Sequence, residues 1–240
     1  MSRRVAICQP HYIPWIGYFE MIDRVDTFVF LDDVDFIKRE WKNRNRIRKQ
    51  ALATETKWLS VPIEHADQRE TPITRARIAG TEWTRKHLDG FFQVYRDTEH
   101  FEASYTLLRT GLEREVATLA ELNVALIADI CRYLGIETEL RRSSELDVGG
   151  QKTEKLLALC AAAGATHYLA NNGSATYLEP ERFEAAGIEC RYQDYEHPTY
   201  RQASGATELA FLSHLSVLDL IANHGPQALP ILRSGRPVHA

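Results

Sequence analysis

The sequence predicts an α/β fold: a mostly parallel, Rossmann-like sheet in three layers, with a helical insertion and a small β flap. Two observations carry this prediction. Short apolar runs that suit buried strands alternate with helical patterns at both ends of the chain. Residues 4–33 also form one strand–loop–helix–strand unit, and a right-handed crossover makes such strands parallel. The 240 residues contain no Pro/Gly/Ser-rich linker, so we expect one domain over 1–240.

The amino-terminal unit begins with Val5–Cys8, a short apolar run typical of a buried strand. Trp15–Arg24 follows as a helix, with Pro14 near the first turn, where proline is tolerated. Thr27–Leu31 is a second buried strand. The loop after the first strand and the end of the second should therefore lie at the carboxyl edge of the sheet, where open α/β sheets bind ligands.

The middle of the chain predicts two insertions. Residues 34–80 form a basic flap on the sheet, with strands expected over Trp58–Ile63 and Ile73–Ala79. Residues 82–134 form the helical insertion, in which apolar residues recur at helical spacing and Gly135 is a stop signal. The expected helices are Glu82–Tyr95, Tyr105–Leu119 and Leu122–Leu134.

The second half alternates between strands and helices again, with glycines at the expected helix ends. The expected strands are Glu137–Arg142, His167–Ala170 and Ile188–Tyr192. The expected helices are Thr153–Ala163, Glu181–Ala186 and Leu215–Asn223, with Ser216 and Asp219 as a capping residue and a polar-face residue of the last.

Composition excludes several classes of protein. No apolar run approaches the roughly 18 residues of a membrane span, and residues 1–20 lack the pattern of a secretory leader. The net charge of −4 argues against a general nucleic-acid binder. The four cysteines form no CxxC pair, which indicates reduced thiols. We therefore expect a cytoplasmic protein with no membrane span and no nucleic-acid partner.

The loop after the first strand is the first candidate site. Gln9 ends that strand, and a buried amide there needs hydrogen-bond partners. Tyr12, Trp15 and Tyr18 offer stacking faces, or they simply pack the helix onto the sheet. The start of the helix offers unpaired N–H groups to an anion.

Cys8, with His11 three residues away, and His197 are further catalytic candidates, and each of the two sites has two interpretations. The nearby helix terminus and histidine favour a lowered thiol pKa at Cys8, but a cysteine in a buried strand is more often an inert hydrophobe. His197 has the chemistry of a general base, yet a histidine beside a proline is more often an ordinary loop residue. The sequence leaves both readings open.

An acidic strand end and a basic stretch follow the second strand. Asp33 and Asp35 form a D-x-D that suits a divalent ion, but such short motifs occur in many acidic loops. Residues 38–49 hold seven basic residues and one glutamate, the strongest charge asymmetry in the chain. Arginine binds phosphate in bidentate fashion, and a solvated charged face is the alternative.

These segments together resemble the WbqC-like family. The carboxylates Asp32 and Asp33 belong to the shared motifs, whereas Cys8, His11 and Asp35 do not. The resemblance covers essentially the whole chain, from the amino-terminal motifs through Trp58 and Tyr200-x-Gln202 to Leu215-Ser216. The amino-terminal motifs are Gln9-Pro10-x-Tyr12-x-Pro14-Trp15-x-Gly17-Tyr18-Phe19, Asp32-Asp33-Val34-x-Phe36-x-Lys38 and Trp41-x-Asn43-Arg44-Asn45-x-Ile47.

The resemblance implies a role in the biosynthesis of O-antigen or another surface polysaccharide, and it names no reaction step. We expect a transferase that moves an acyl or aminoacyl group onto an amino sugar or a similar amine. Its substrate would carry phosphate groups, as a nucleotide sugar or a phosphopantetheine thioester does, with an acyl carrier protein as a further partner. No cofactor and no metal ligand are predicted. The rivals are a non-catalytic scaffold of an assembly complex and a metal-dependent glycosyltransferase using Asp33 and Asp35.

Each motif residue receives a role in the leading interpretation. Asp32, Asp33 and Lys38 form the catalytic group, in which one carboxylate accepts a proton from the attacking amine or hydroxyl. Lys38 and Arg44 bind phosphates, the amides orient polar groups, and the aromatic rings stack on a base or sugar. The expected substrate-binding residues are Gln9, Tyr12, Trp15, Tyr18, Asn43, Arg44, Asn45, Tyr200 and Gln202.

Overall fold

A computed structural model describes residues 2–65 and 71–237. Its helices and strands follow the predicted α/β alternation, with two additional small antiparallel sheets. In chain order they are β1 (Arg4–Cys8), α1 (Ile16–Asp23), β2 (Thr27–Phe30), β3 (Arg44–Arg48), β4 (Thr56–Ser60), α2 (Glu82–Tyr95), α3 (Phe101–Leu112), α4 (Leu119–Leu134), β5 (Glu139–Arg142), α5 (Lys152–Ala162), β6 (His167–Ala170), α6 (Pro180–Ala185), β7 (Glu189–Tyr192), β8 (Ala203–Ser204), β9 (Thr207–Glu208), α7 (Val217–His224) and α8 (Ala228–Arg233).

The central sheet has five strands in the order β5-β2-β1-β6-β7, and every neighbouring pair is parallel. Val5, Ala6 and Ile7 of the central strand are essentially unexposed, because helices cover both faces of the sheet. The chain leaves β1 towards β2 on one side and returns to β6 on the other. The strand order therefore reverses between β1 and β6, and ligands of open α/β folds bind outside such a reversal.

The helices between β4 and β5 pack against the carboxyl-terminal helices. The α3 helix contacts both α4 and α7. A Cβ atom on Gly111 of α3 would lie 2.1 Å from the side chain of Leu126, so only glycine allows α3 and α4 to approach this closely. The α4 helix begins with a capping box between Thr118 and Glu121 and ends at Gly135, whose φ is +74°.

The flap differs from the prediction. Its strands are Arg44–Arg48 and Thr56–Ser60, which pair antiparallel, whereas we expected Trp58–Ile63 and Ile73–Ala79. The strand over Ile73–Ala79 is wrong, since Ile73–Arg75 forms a 3₁₀ turn. The basic stretch forms a strand because Arg44 stacks on the Trp58 ring and Arg48 donates a hydrogen bond to Gln202. The charge of the stretch alone does not indicate these contacts.

Two further differences concern helices. The expected helix Tyr105–Leu119 begins earlier, at Phe101, and ends at Leu112. Asp219, expected on a polar face, is almost fully buried because Tyr200 and Gln202 donate hydrogen bonds to it. Ser216 caps α7 as expected. Among the described residues, no helix combines the length and apolar character that crossing a membrane requires.

Candidate functional site

The loop after β1 lies at the strand-order reversal, and side chains from two other elements clamp it. Asn45 on β3 donates from Nδ2 to the carbonyl oxygens of Tyr12 (3.2 Å) and Ile13 (2.9 Å). Asn123 on α4 donates to the carbonyl of Pro10 at 2.9 Å. Because buried carbonyl groups need partners, these amides give the loop one defined path over the sheet edge.

Several predicted binding residues point inward. Tyr12 is fully buried, and its hydroxyl lies 2.8 Å from Nδ1 of His87. Tyr18 is also buried and donates to the carbonyl of Gln9 at 2.9 Å. Asn43 is buried and donates to the carbonyl of Val61, while its Oδ1 has no partner among the described residues. Tyr12 and Tyr18 offer no exposed ring face, and Asn43 is buried, so none of the three presents a surface to a ligand in this conformation.

The two aspartates at the end of β2 have different environments. Asp32 is fully buried and accepts from Nε of Arg142 at 2.6 Å. Asp33 is 25% exposed and forms an ion pair with Nζ of Lys155 at 2.7 Å. The hydroxyl of Ser143 lies within hydrogen-bond distance of both carboxylates. Of the two candidate bases, Asp33 is therefore the one that a substrate can reach.

Cys8 and His11 lie at the same edge, both partly exposed, near the ammonium group of Lys42. Burial raises the pKa of the Cys8 thiol to about 12, although the hydrogen bond from Gln9 and the charge of Lys42 act against it. Burial, reinforced by Lys42, lowers the pKa of His11 to about 3. Of the two interpretations of Cys8, the lowered thiol pKa is therefore wrong, because desolvation of the thiolate exceeds the attraction of nearby positive charge.

Lys42 itself is buried and pairs with the half-exposed Glu40. Neither residue was assigned to the site from the sequence, where Lys42 was one of seven basic residues in a run. Only the folding of the flap over the β1 loop reveals that this particular lysine reaches the sheet edge.

Tyr200 and Gln202 belong to a buried polar network. Both donate to Oδ2 of Asp219 at 2.8 Å, and Gln202 accepts from Nη2 of Arg48 at 2.5 Å. Burial raises the pKa of Asp219, and Tyr200 and Arg48 oppose that shift. The network ties β3 to α7, so both predicted binding residues are occupied with protein partners.

Trp15 packs against two histidines that also contact each other, with centroids of His197 and His214 4.9 Å apart. Its ring stacks on His197 (centroids 5.9 Å apart) and on His214 (5.0 Å). Nε2 of His197 accepts from the backbone N–H of His214, and Nδ1 lies 2.9 Å from the carbonyl of Pro198. A neutral His197 ring therefore has a partner at each nitrogen. Burial lowers the pKa of His197, which favours this neutral form. His197 therefore packs beside the loop and has no nitrogen directed at a substrate.

The outer side of the β3–β4 pair and the turn before it form a surface that we call the tryptophan face: Trp41, Arg44, Arg46 and Trp58. The two indoles are 41% and 43% exposed, with ring centroids 5.4 Å apart. Cζ of Arg44 lies 4.1 Å from the Trp58 ring, and Cζ of Arg46 lies 5.5 Å from the Trp41 ring. A cavity of about 390 Å³ opens beside Trp41, Arg44 and Trp58, and Arg39 and Glu40 complete its lining.

Sequence reasoning assigned Arg44 to the site and overlooked the two tryptophans, although both lie within the quoted motifs. The missed signal was the pairing of alternate arginines with a tryptophan on the next strand, since Arg46 lies opposite Trp58.

Lys38 is exposed in the loop before this face, and Gln9 is partly exposed at the sheet edge. Among the residues that the structure describes, no cluster of three or more His, Cys, Asp or Glu side chains could hold a metal.

Comparison with known proteins identifies the family. The model of the WbqC-like protein family matches residues 9–231. The chain belongs to the WbqC-like family. The chain is also 36% identical over 234 residues to the uncharacterized protein Rv1507c of Mycobacterium tuberculosis (strain ATCC 25618 / H37Rv). The aligned region covers 96% of this chain and 98% of that protein. No solved structure matches the chain.

Proposed function

We propose that this WbqC-like protein is a transferase of surface-polysaccharide biosynthesis. It moves an acyl or aminoacyl group onto the amine of an amino sugar that carries phosphate. The observation that supports this function best is the position of Asp33, a reachable carboxylate at the carboxyl edge of the sheet. Such edges are where open α/β folds bind their ligands.

In this proposal, Asp33 accepts a proton from the attacking amine. The amine nitrogen then bonds to the carbonyl carbon of the donor thioester, the carbon–sulfur bond breaks, and the thiolate leaves and is protonated in turn. Lys155 holds Oδ2 of Asp33, and Ser143 holds Oδ1, so the carboxylate has one orientation. Lys38 and Arg44 contact the phosphates of the acceptor. The reaction takes place in the cytoplasm, where activated sugars and acyl thioesters are made.

The test combines nucleotide-linked amino sugars with coenzyme A thioesters and acyl-carrier thioesters, and detects an acylated sugar by mass spectrometry. Asp33→Asn should reduce turnover at least 100-fold while the acceptor still binds, because general-base catalysis contributes on the order of 10²–10⁴ in rate. Asp35→Asn is the matched control, since Asp35 is exposed two residues away and should leave turnover unchanged. Equal turnover in native protein and Asp33→Asn would contradict the proposal.

A second candidate is a non-catalytic binding or scaffold protein, and the environments of Cys8 and His11 favour it. The pKa of the thiol is raised to about 12 and that of the imidazole is lowered to about 3, so neither group is an activated nucleophile or a base poised near neutral pH. Tight binding of an acceptor without product from any donor would support this candidate over the transferase.

A further inference from the structure

The tryptophan face combines exposed rings with cations, and this combination selects a class of ligand. We infer that the face binds the nucleoside diphosphate part of the acceptor, with the base on the indoles and the diphosphate on the arginines. This inference deepens the proposed function, because it names the carrier to which the amino sugar is linked. It depends on the tryptophan face, whereas the proton transfer depends on Asp33.

The rings supply the first argument. Trp41, in the turn before β3, and Trp58, on β4, are large side chains that remain exposed, while most large apolar side chains are buried. Their planes are inclined by 48°, which forms an open wedge rather than a closed stack. A planar base gains contact area and stacking energy against such rings.

The cations supply the second argument. Nε of Arg44 and Nε of Arg46 are buried and have no hydrogen-bond partner among the residues described. Buried donors without partners are rare in folded proteins. Arg39 and Arg44 both line the cavity, and the one carboxylate of the lining, Glu40, is already paired with Lys42. Neither Arg44 nor Arg46 pairs with a carboxylate of the described residues, and phosphate oxygens accept from guanidinium groups in bidentate geometry.

Position supplies the third argument. The backbone N–H of Tyr12 donates to the carbonyl of Trp41 at 3.0 Å, so the face adjoins the β1 loop directly. Lys42, the next residue, lies near Cys8 and His11 at the sheet edge. A nucleoside diphosphate on the tryptophan face would thus direct its sugar towards the edge that holds the candidate base.

A protein partner is the main alternative, because tryptophan and arginine are also enriched where proteins bind one another. The unpaired arginine donors and the cavity of about 390 Å³ favour a small anionic ligand, since pockets for small ligands fall in roughly this size range. A flat protein contact would not require a cavity at this position.

The experiment measures binding of UDP, GDP and dTDP by tryptophan fluorescence and calorimetry, without any donor. At least one should bind, and the matching nucleoside and inorganic pyrophosphate should each bind at least tenfold more weakly. Trp58→Ala and Arg44→Ala should each raise Kd at least tenfold, and Arg44→Lys should recover part of the loss. Arg96→Ala is the matched control, because Arg96 lies over the ring of Phe92 at 5.8 Å in a comparable pair on α2.

Absence of binding by every nucleoside diphosphate would overturn the inference, as would binding that neither variant weakens. Displacement of the nucleotide by a neutral oligosaccharide at similar concentration would also overturn it, because the face would then recognise sugar rather than base and phosphate. Binding that is lost in both variants, in a protein that shows no transfer, would confirm the nucleotide site and contradict only the proposed reaction.

Discussion

On the inner side of β3, Asn45 and Ile47 are almost completely buried, whereas on the outer side Arg44 and Arg46 lie against exposed indole rings. Asn45 uses both ends of its amide, with two donated bonds and one accepted from the backbone of Arg46. The arginines outside keep donors that no described residue accepts from. Adjacent residues of one strand thus differ in whether their polar groups find partners within the protein.

This difference separates residues that position the loop from residues that are available to a ligand. A polar group that is saturated inside the fold contributes to stability, and its removal leaves its partners buried and unpaired. A side chain whose polar group has no protein partner adds no hydrogen bond to stability, and its exposed atoms can bind a ligand. Substitutions on the inner side should therefore affect unfolding, and substitutions on the outer side should affect binding.

The largest expected effect is at Asp32, which belongs to the saturated sheet edge beneath the loop. Asp32→Ala should lower the free energy of unfolding by about 3–5 kcal/mol, because it leaves Arg142 without its partner and removes several hydrogen bonds. Urea denaturation measures the change. Asp35→Ala, at an exposed position, should lie within about 0.5 kcal/mol of the native protein, and equal losses would invalidate the distinction.

Asn45→Ala should have the next largest effect, a loss of about 3 kcal/mol, because the carbonyls of Tyr12 and Ile13 lose their donor. Chemical denaturation at pH 7 provides the measurement. Asn172→Ala is a suitable control, since Asn172 is exposed and makes one side-chain hydrogen bond, to the carbonyl of Gln193. A loss below about 1 kcal/mol at Asn45 would show that the loop does not depend on this clamp.

The third prediction concerns pH and His87, the partner of Tyr12. Burial lowers the pKa of His87 to about 4, from an ordinary value of 6.5. Between these values the unfolded chain binds a proton that the folded protein does not, so stability falls as the pH falls below 6.5. From pH 7 to pH 5 this amounts to about 2 kcal/mol.

Unfolding of native protein and His87→Gln at both pH values isolates this effect, because other titrating groups cancel in the comparison. The stability advantage of the native protein should shrink by about 2 kcal/mol at pH 5. An advantage that stays constant would mean that His87 is protonated as readily in the folded protein as in the unfolded chain.

The smallest expected stability effect is on the outer side. Arg44→Ala should lower the free energy of unfolding by no more than about 1 kcal/mol, because it removes the stacking on Trp58 and leaves no hydrogen-bond partner unpaired. Thermal and urea denaturation check this value alongside the nucleotide titrations. A loss of 2 kcal/mol or more would place Arg44 with the structural residues of the inner side.

Local sequence patterns predicted much of the sheet. Val5–Cys8 and His167–Ala170 are apolar runs of strand length, and the structure has strands there. The flap could not be predicted in the same way, because Arg44–Arg48 has no apolar alternation. Its strand character depends on contacts far along the chain, including those of Arg48 with Gln202 and Ala210.

The sequence named the segments of the candidate site, but it did not show which of their side chains are buried and which are exposed. The motifs named the β1 loop, the end of β2 and the basic stretch, and the structure shows the β1 loop in contact with Trp41 and Asn45 of the basic stretch. They could not distinguish Asp32 from Asp33, since adjacent aspartates look alike until Arg142 approaches one and Lys155 the other. Nor could they show that Tyr12 turns inward while Trp41 stays exposed.

The sequence by itself determined the alternation of strands and helices, the parallel sheet and the membership of the WbqC-like family, because these depend on local periodicity and on motifs that are contiguous in the chain. Only the tertiary structure decided which polar residues are saturated and which remain available. Burial and hydrogen-bond partners come from segments more than 100 residues apart, as with Asp32 and Arg142 or Asn123 and Pro10. Desolvation by those segments also set the pKa directions at Cys8 and His11.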